Sequence, residues 1–590
     1  MRFFDSLLWR KCRVRIATTF AFQALISVVA FGSQEIPKSD FPLNPPVNYV
    51  TDVDRSERVQ ETAQQALSST LVTGLRNFDW LLAGQAFTDD FLGRFPDIAH
   101  GTLVDDDTLE IFRYDLESEE VLRRDEMVSR LRAQARHWIS VERASWKMFE
   151  FLLEPGGDGA IARAHMQLGG PDQSGGRSVV DITVTVQLAA RNGEKWKIRR
   201  LDATDVVRVH NPSLGFRDIT DAVGLHFNRS AANQQLRQDV ADTGVSHIDS
   251  ALSVVDWNRD GFWDIVATES GNHSVLFLND GRGGFVRRGL PIRNYFLTPG
   301  QLLFVDLDGD GLEELVGSRI VYSGDRGWIG LYTRRAGDWV FLSRALEFEN
   351  PVGVRWNETQ MMTAGDVNGD GLLDLFIGGY QTNRSGTAER FNRVDADDGS
   401  DNLLFINQGE LRFTEESDLR GIIGTRHTYV AEFFDFDDDG DLDLFEGNDF
   451  GSNVVWDNQG NGMFRALDQH PLATDASYTM GVTIADWDNT GAWSVYLSNM
   501  YSHAGQRVVR LTESVSEAMH ARLEMLSRGN QLFSLEPETA TWVERSGLLG
   551  INEAGWAWGS LFYDIDNDGD KDLFVTNGNT SYGERGAPDL

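Results

Sequence analysis

The sequence holds a single cysteine, Cys12, in 590 residues. That excludes an internal disulfide and leaves no thiol chemistry beyond that one side chain. Basic residues are scarce too: Lys and Arg total 54 against 90 Asp and Glu, a formal net charge of −36. Such a balance argues against nucleic acid or an anionic membrane surface as a partner. Apart from Ile16–Phe31, no run is long and apolar enough to span a bilayer, and that run is short for the purpose. Catalytic signatures are missing as well. There is no serine in a nucleophile-elbow motif with His and Asp, no cysteine nucleophile, no His-rich zinc motif and no phosphate loop. His137, His247, His273, His427 and His503 are scattered and read as surface or packing residues. The hydrophobic content of 41%, with 11% aromatics, is ample for a packed core. The length calls for several domains or one large repetitive architecture.

Arg2, Arg10, Lys11, Arg13 and Arg15 precede the apolar run, and Ala30-Phe31-Gly32 supplies small residues for cleavage. Residues 1–32 therefore read as a signal peptide cleaved after Gly32, with an uncleaved anchor as the alternative. The expected location is secreted or periplasmic, with no stable membrane span after cleavage. The mature chain then has no cysteine, and its stability is expected to come from its core and its metals. Residues 33–50, with Pro37, Pro42, Pro45 and Pro46, read as a linker.

Residues 51–210 are expected to form a small α+β domain. Val59, Ala63, Ala66, Leu67, Leu71, Leu75, Phe78 and Leu82 recur at helical spacing, and a second helix is expected over Leu116–Arg136. Strands follow at His137–Leu153, Ala160–Leu168, Ser178–Ala190 and Lys195–Val209, the last two joined by an Asn192-Gly193 turn. Helices followed by a meander of four long strands resemble the nuclear-transport-factor-type (SnoaL-like) cone. Such cones often enclose a pocket; Trp80, His137, Trp138 and Trp146 are candidates to line it, with core packing as the competing role.

From residue 214 the texture changes to Gly, Asp, Asn and Phe, and a nine-residue loop recurs six times. Oxygen donors stand at positions 1, 3, 5 and 9 and a glycine at position 6. The copies are Asp256, Asn258, Asp260 and Asp264; Asp306, Asp308, Asp310 and Glu314; Asp366, Asn368, Asp370 and Asp374; and Asp435, Asp437, Asp439 and Asp443. The fifth keeps Asp486 and Asp488 but has Thr490 and Ser494. The sixth has Asp564, Asp566, Asp568 and Asp572. Hard cations such as Ca²⁺ take about 6–8 oxygens, and alternating acids supply them from one side of a turn. Acceptance of Asn at position 3 suits an oxygen donor and not a proton-transfer group. One such loop is an ordinary acidic hairpin turn; five in register point to Ca²⁺, about five sites with a degenerate sixth at Asp486. Asp438 and Asp441 have no counterpart in most copies and read as solvated.

Apolar strand-like segments flank every loop, and several copies continue into a third run and a turn, as in Val275–Asn279, Leu403–Asn407 and Val454–Asn458. The first aspartates stand at positions 256, 306, 366, 435, 486 and 564. Even the closest pair leaves room for a unit of four antiparallel strands, the size of a propeller blade. The longest interval carries a helical insertion near 501–530.

These loops, with their Phe and Gly punctuation, resemble FG-GAP (integrin α-type, VCBS) repeats. Phe216-Arg217-Asp218-Ile219-Thr220 with Gly224-Leu225, and Met480-Gly481 with Ser498 to Arg507, resemble the cartilage-acidic-protein (ASPIC/UnbV-associated) branch. The resemblance implies a mainly β chain in which residues 214–590 form a calcium-binding β-propeller of six or seven four-stranded blades. The C-terminal ASPIC/UnbV domain usual in that branch has no counterpart before Leu590. A strand at Phe216–Thr220 is expected to complete the last blade, with a truncated sequence as the alternative. The implied function is an exported binding scaffold for an extracellular protein or glycan, concerned with adhesion or carbohydrate binding. The alternative is a carbohydrate-active enzyme, a polysaccharide lyase or hydratase, scaffolded by the propeller.

Overall fold

The computed structural model describes residues 53–97, 101–105, 110–114, 116, 120–190, 195–212, 218–228, 231, 250–269, 274–290, 301–350, 359–380, 396–474, 478–501, 505, 509, 516–565 and 569–578. The expected signal peptide and linker, the Asn192-Gly193 turn, Phe216, Arg217, His247, His273, His503, Asp566 and Asp568 lie outside the described residues.

Helix α1 (Val53–Leu67) buries Ala63, Ala66 and Leu67 at helical spacing and continues through a π-turn, Ser68–Val72, into Thr73–Arg76. Helix α2 (Trp80–Gly84) crosses so near that a Cβ at Gly74 would lie 2.5 Å from the Ala83 backbone. Helix α3 spans Arg124–Ala135, starting two turns later than the expected Leu116–Arg136. Leu122 and Arg123 instead pair with a strand, so tertiary pairing overrides a helical reading there.

Eight strands form the N-terminal sheet: β1 (Phe87–Arg94), β2 (Thr102–Asp105), β3 (Glu110–Arg113), β4 (Leu122–Arg123), β5 (Arg143–Leu153), β6 (Gly159–Pro171), β7 (Arg177–Ala189) and β8 (Lys197–Asn211). Their main order is β2-β3-β8-β7-β6-β5. The last four are the long meander; β1 to β4 are additions that sequence periodicity does not reveal. Val180, Ile182, Val184 and Val186 face the helices in one core with Trp138 and Trp146. Those two tryptophans are core residues, 3% and 2% exposed.

Beyond residue 218 the described residues are mainly β, in small antiparallel sheets, and among them no sheet closes into a barrel. Sheet I comprises Ser250–Val255, Asp264–Glu269, Val275–Asn279 and Phe285–Gly289. Sheet II comprises Leu302–Val305, Glu314–Ser323, Arg326–Arg335 and Asp338–Glu349. Sheet III comprises Thr359–Gly365, Asp374–Gly379, Leu403–Asn407 and Phe413–Glu415; sheet IV comprises His427–Phe434, Asp443–Asp449, Val454–Asn458 and Phe464–Ala466. Sheet V comprises Gly481–Ala485, Ser494–Ser498, Gln531–Glu536 and Thr541–Glu544, and sheet VI shows two strands, Ala557–Tyr563 and Asp572–Asn577. The insertion in sheet V carries a helix over Glu517–Leu526.

Each sheet shares a core with the next. Phe376 of sheet III points toward Phe433 and Leu444 of sheet IV, while its neighbours Leu375 and Ile377 point back toward Val316 and Leu331 of sheet II. A strand buried on both faces is apolar at consecutive positions, which is the pattern of Leu375–Ile377. Sheets I and II meet around Val266 and Leu315, IV and V around Phe445 and Val495, V and VI around Tyr496 and Leu573. First strands touch one another in chain order from I to VI.

Asp218–Leu225 is a turn and not a strand, which corrects the expected strand at Phe216–Thr220 within its described residues. It repeats a turn found after two outer strands. Thr220, Ser417 and Ser546 N–H groups each donate to the acid two residues earlier, at 2.9, 2.9 and 2.7 Å. Leu225, Ile422 and Ile551 N–H groups each donate to the carbonyls of those same three residues. The Val223 carbonyl then accepts from Phe285 N–H of sheet I, as the Arg420 carbonyl accepts from Phe464 N–H of sheet IV.

Candidate metal centre

Every acidic loop joins the first two strands of a sheet, and its shape is set by the aspartate at position 1. Asp435 Oδ1 accepts from Asp439 N–H at 3.1 Å and Oδ2 from Gly440 N–H at 3.0 Å. The same pair of bonds recurs at Asp256, Asp366 and Asp486, and Asp306 and Asp564 each accept from the position-6 glycine. Position 6 is left-handed in all six copies, φ 82–95°, which favours glycine. Position 4 is left-handed as well, at Arg259, Gly309, Gly369, Asp438 and Asn489, a second constraint that composition alone does not disclose.

Position 9 does a different job. Asp443 is 2% exposed; its Oδ2 accepts from Phe436 N–H at 3.0 Å and its Oδ1 from Asn458 N–H of the third strand at 2.8 Å. Asp264 and Asp374 repeat both bonds, Asp572 repeats the first, and Glu314 accepts from Leu307 N–H and Thr333 Oγ1. The position-9 acid is thus a bracket holding three strands in register as well as a candidate ligand. Burial raises three of these carboxyls, Asp443 and Glu314 to about 7 and Asp374 to about 6.

Among the described residues, the oxygens of three acids converge in two loops. Ligand atoms of Asp306, Asp308 and Glu314 lie within 4.8 Å of one another, and so do those of Asp435, Asp437 and Asp439. Burial, then the neighbouring acids, raise Asp308 and Asp437. Where position 3 is Asn, the cluster is calmer: Asn258 and Asn368 amides donate to Asp260 and Asp370 at 2.9 and 3.0 Å. Asp441 corrects an expectation. It is half-buried, not solvated, and its Oδ1 is buried without a hydrogen bond; burial, then Asp439, Asp437 and Asp435, push the group to about 6. Asp438 is exposed. An orphaned carboxylate oxygen beside three converging acids is a donor set that fits a hard divalent cation. Asp564 and Asp572 are in place in the sixth loop; their partners Asp566 and Asp568 are outside the described residues.

A further set of residues escapes a reading of the sequence. The third-strand side chain of each of three sheets reaches the loop of the sheet before it. Asn458 Nδ2 donates to the Val367 carbonyl at 2.8 Å, Asn407 Nδ2 to Leu307 at 2.7 Å, and Arg334 Nη1 to Trp257 at 2.8 Å. The available signal is the Asn that ends an apolar run before a Gly turn, at Asn407 and Asn458.

A family model for the FG-GAP-like repeat matches residues 256–317 and 435–497, so these stretches are FG-GAP-like repeats. They contain the loops at Asp256, Asp306, Asp435 and Asp486. A comparison with curated proteins finds no match. Similar solved structures include a conserved protein from Planctomyces limnophilus, 15% identical, covering 25% of this chain and 94% of that one, TM-score 0.19. A ketosteroid isomerase-like protein from Erwinia carotovora atroseptica is 13% identical over 24% of this chain and 92% of that one, TM-score 0.18. An NTF2-like protein of unknown function from Pseudomonas putida is 13% identical over 25% of this chain and 85% of that one, TM-score 0.16. Among the described residues no helix is long and apolar enough to cross a membrane.

Proposed function

We propose that sheets I–VI are the blades of a calcium-braced β-propeller that serves an exported protein as an interaction scaffold for an extracellular protein or glycan. The observation that carries this reading is the acidic loop itself, repeated in one hydrogen-bonded form and bringing three carboxylates together at Asp306–Glu314 and at Asp435–Asp439. Ca²⁺ would be held there by Asp306, Asp308, Asp310 and Glu314, and by Asp435, Asp437 and Asp439 with Asp441 adjoining. Bound cation would cancel the mutual repulsion of these acids and tie the first two strands of each blade.

Three observations support the ring. The first strands follow one another in contact, and the turn at Asp218–Leu225 is the kind that elsewhere follows an outer strand. The terminal sheets also expose apolar faces, Leu252 and Val254 at 75% and 58% on sheet I, Leu561 and Tyr563 at 53% and 58% on sheet VI. A closed ring would cover both. Isothermal titration with Ca²⁺ tests the cation half, and absence of saturable heat would overturn it. Leu252→Asp tests the ring: closure predicts a loss of about 2 kcal/mol or more, an open array almost none.

A further inference from the structure

The ends of the sheets away from the acidic loops carry an aromatic cluster. First strands of sheets IV and VI begin at His427 and Ala557 and run toward Asp435 and Asp564, so their opening residues lie at that far end. Second strands run back, which brings Tyr380 and Asp449 to the same end. Rings from sheets III, IV and VI touch there in an unbroken series. Trp556 and Trp558 are parallel, 4° apart in plane with ring centres 6.2 Å apart. Trp558 meets Tyr429 at 6.2 Å, Tyr429 meets Tyr380 at 5.6 Å, and Tyr380 meets His427 at 5.3 Å. Sheet V stands between sheets IV and VI, and at this level it presents Gly481. A Cβ there would lie 3.0 Å from Gly559 Cα and from the Trp558 carbonyl. The close approach of these two first strands brings Trp558 within reach of a sheet two positions away.

Four of the rings are pinned by hydrogen bonds. Trp558 Nε1 donates to the Gly578 carbonyl at 2.6 Å and Trp556 Nε1 to Met480 Sδ at 3.3 Å. The Tyr380 hydroxyl donates to Asp449 Oδ2 at 2.7 Å, and His427 Nε2 lies 2.8 Å from Asp398 Oδ1. Both indole N–H groups are thus spent inside the protein. What Trp558 offers to solvent, at 39% exposure, is carbon surface. Trp556 and Tyr429 are half-buried around it, and Tyr380 and His427 are fully buried behind Tyr429. Asp398 is exposed and Asp449 half-buried.

This surface discriminates among ligand classes. Asp398 and Asp449 repel anions. A cation seeks ring faces converging on one point, whereas Trp556 and Trp558 are parallel, and Tyr380 stands edge-on to Tyr429 and His427 at 82° and 86°. A pyranose asks for one flat face against its slightly positive C–H hydrogens, and for acceptors to take its hydroxyls. We propose that Trp558, flanked by Trp556 and Tyr429, is a stacking platform for a neutral pyranose unit of an oligosaccharide, with Asp398 and Asp449 as acceptors for the units that extend beyond it. The platform rests on the scaffold reading in its glycan form, and not on cation binding or ring closure, since all its residues lie between sheets III and VI.

The test is calorimetric titration of the full chain, in Ca²⁺, with cellotetraose, a neutral chain whose pyranose rings carry axial C–H groups on both faces, and in parallel with choline. Cellotetraose is expected to bind saturably, with a Kd of about 1 mM or tighter. Trp558→Leu keeps apolar bulk and removes the aromatic face; it should weaken binding about tenfold or more. Tyr429→Leu, on the other side of the platform, gives the same reading where Trp558→Leu fails to fold. Trp263→Ala, at an exposed tryptophan on the acidic end of sheet I, should leave the affinity unchanged. No saturable binding of cellotetraose up to about 10 mM overturns the platform, and so do folded Leu variants that bind as the wild type does. Choline bound in place of cellotetraose overturns it as well, in favour of a cation site. Calcium titration of the same sample keeps the two readings apart: absent calcium heat with cellotetraose still bound overturns the cation loops alone, and the reverse overturns the platform alone.

Discussion

The loops at Asp435 and Asp486 have one shape and two chemistries. Both first aspartates accept from the N–H groups of positions 5 and 6, and both position-6 glycines are left-handed, at φ 94° and 82°. The fifth loop lacks acids at positions 5 and 9. Thr490 Oγ1 donates to Asp488 at 2.8 Å, and Ser494 Oγ donates to Ser534 Oγ at 2.8 Å. The third strand there closes the gap with backbone, Leu535 N–H donating to the Trp493 carbonyl at 2.9 Å, where Asn458 N–H donates to the Asp443 carboxylate. Loop shape is therefore encoded by positions 1 and 6, and charge density by positions 3, 5 and 9. The two can be lost separately.

The widest separation between them should appear on removing calcium. Excess chelator is expected to lower the Tm of the repeat region by about 10 °C or more, since the several proposed sites would each contribute by mass action. An unchanged melting curve would leave the acidic loops as turns of the Asp486 kind. Next comes the bracket. Asp443→Ala strands two buried N–H groups, of Phe436 and Asn458, and should cost about 2–4 kcal/mol in urea denaturation even in chelator. Ser494→Ala, with no such bonds, should cost under about 1 kcal/mol. Equal losses would refute the distinction between the two loops.

His470 lies between the two sheets that carry these loops, 6.1 Å from the Phe436 ring and 6.2 Å from Trp542. Burial lowers it to about 4, and its Nδ1 accepts from Leu472 N–H at 3.3 Å. The folded pKa is below the unfolded value of about 6.5, so the unfolded chain binds the proton more readily. Stability is full above about 6.5 and falls as pH drops toward about 4. His470→Leu should flatten that window, and the two pH profiles, read from denaturation midpoints, should diverge steadily below the unfolded pKa. No difference between the two profiles would refute the burial argument.

The repeat is legible because period-2 alternation and turn chemistry are local. Leu375–Ile377 announces a strand buried on both faces, and Asp-Gly at positions 5 and 6 announces the turn. What stays hidden depends on register. That Asp443 holds Asn458 follows from how the second and third strands align across a 15-residue separation; that Asn458 holds Val367 spans 91 residues and two sheets. Residue type suggests a ligand at Asp443 and no role at Asn458, and only pairing reveals brackets. The strand at Leu122–Arg123 escapes the sequence for the same reason, since its partner, β1, precedes it in the chain with β2 and β3 between. Asp441 is misread because comparison among copies discards a residue that only one other copy, at Asp570, shares.

The smallest expected effect is the sharpest on shape against charge. Gly440→Ala and Gly491→Ala each place a Cβ in open space, with nothing within 4 Å, so neither substitution clashes. Both keep positive φ, and each should cost about 1 kcal/mol from backbone strain alone. Measured in chelator, the two losses should match, because the frame is the same whether or not the loop is acidic. Measured in calcium, Gly440→Ala should cost more than Gly491→Ala if, as proposed, the Asp435 loop holds a cation and the Asp486 loop does not. A match in both conditions would mean that the charges of the Asp435 loop hold nothing, and a mismatch in chelator would mean that the two frames differ after all.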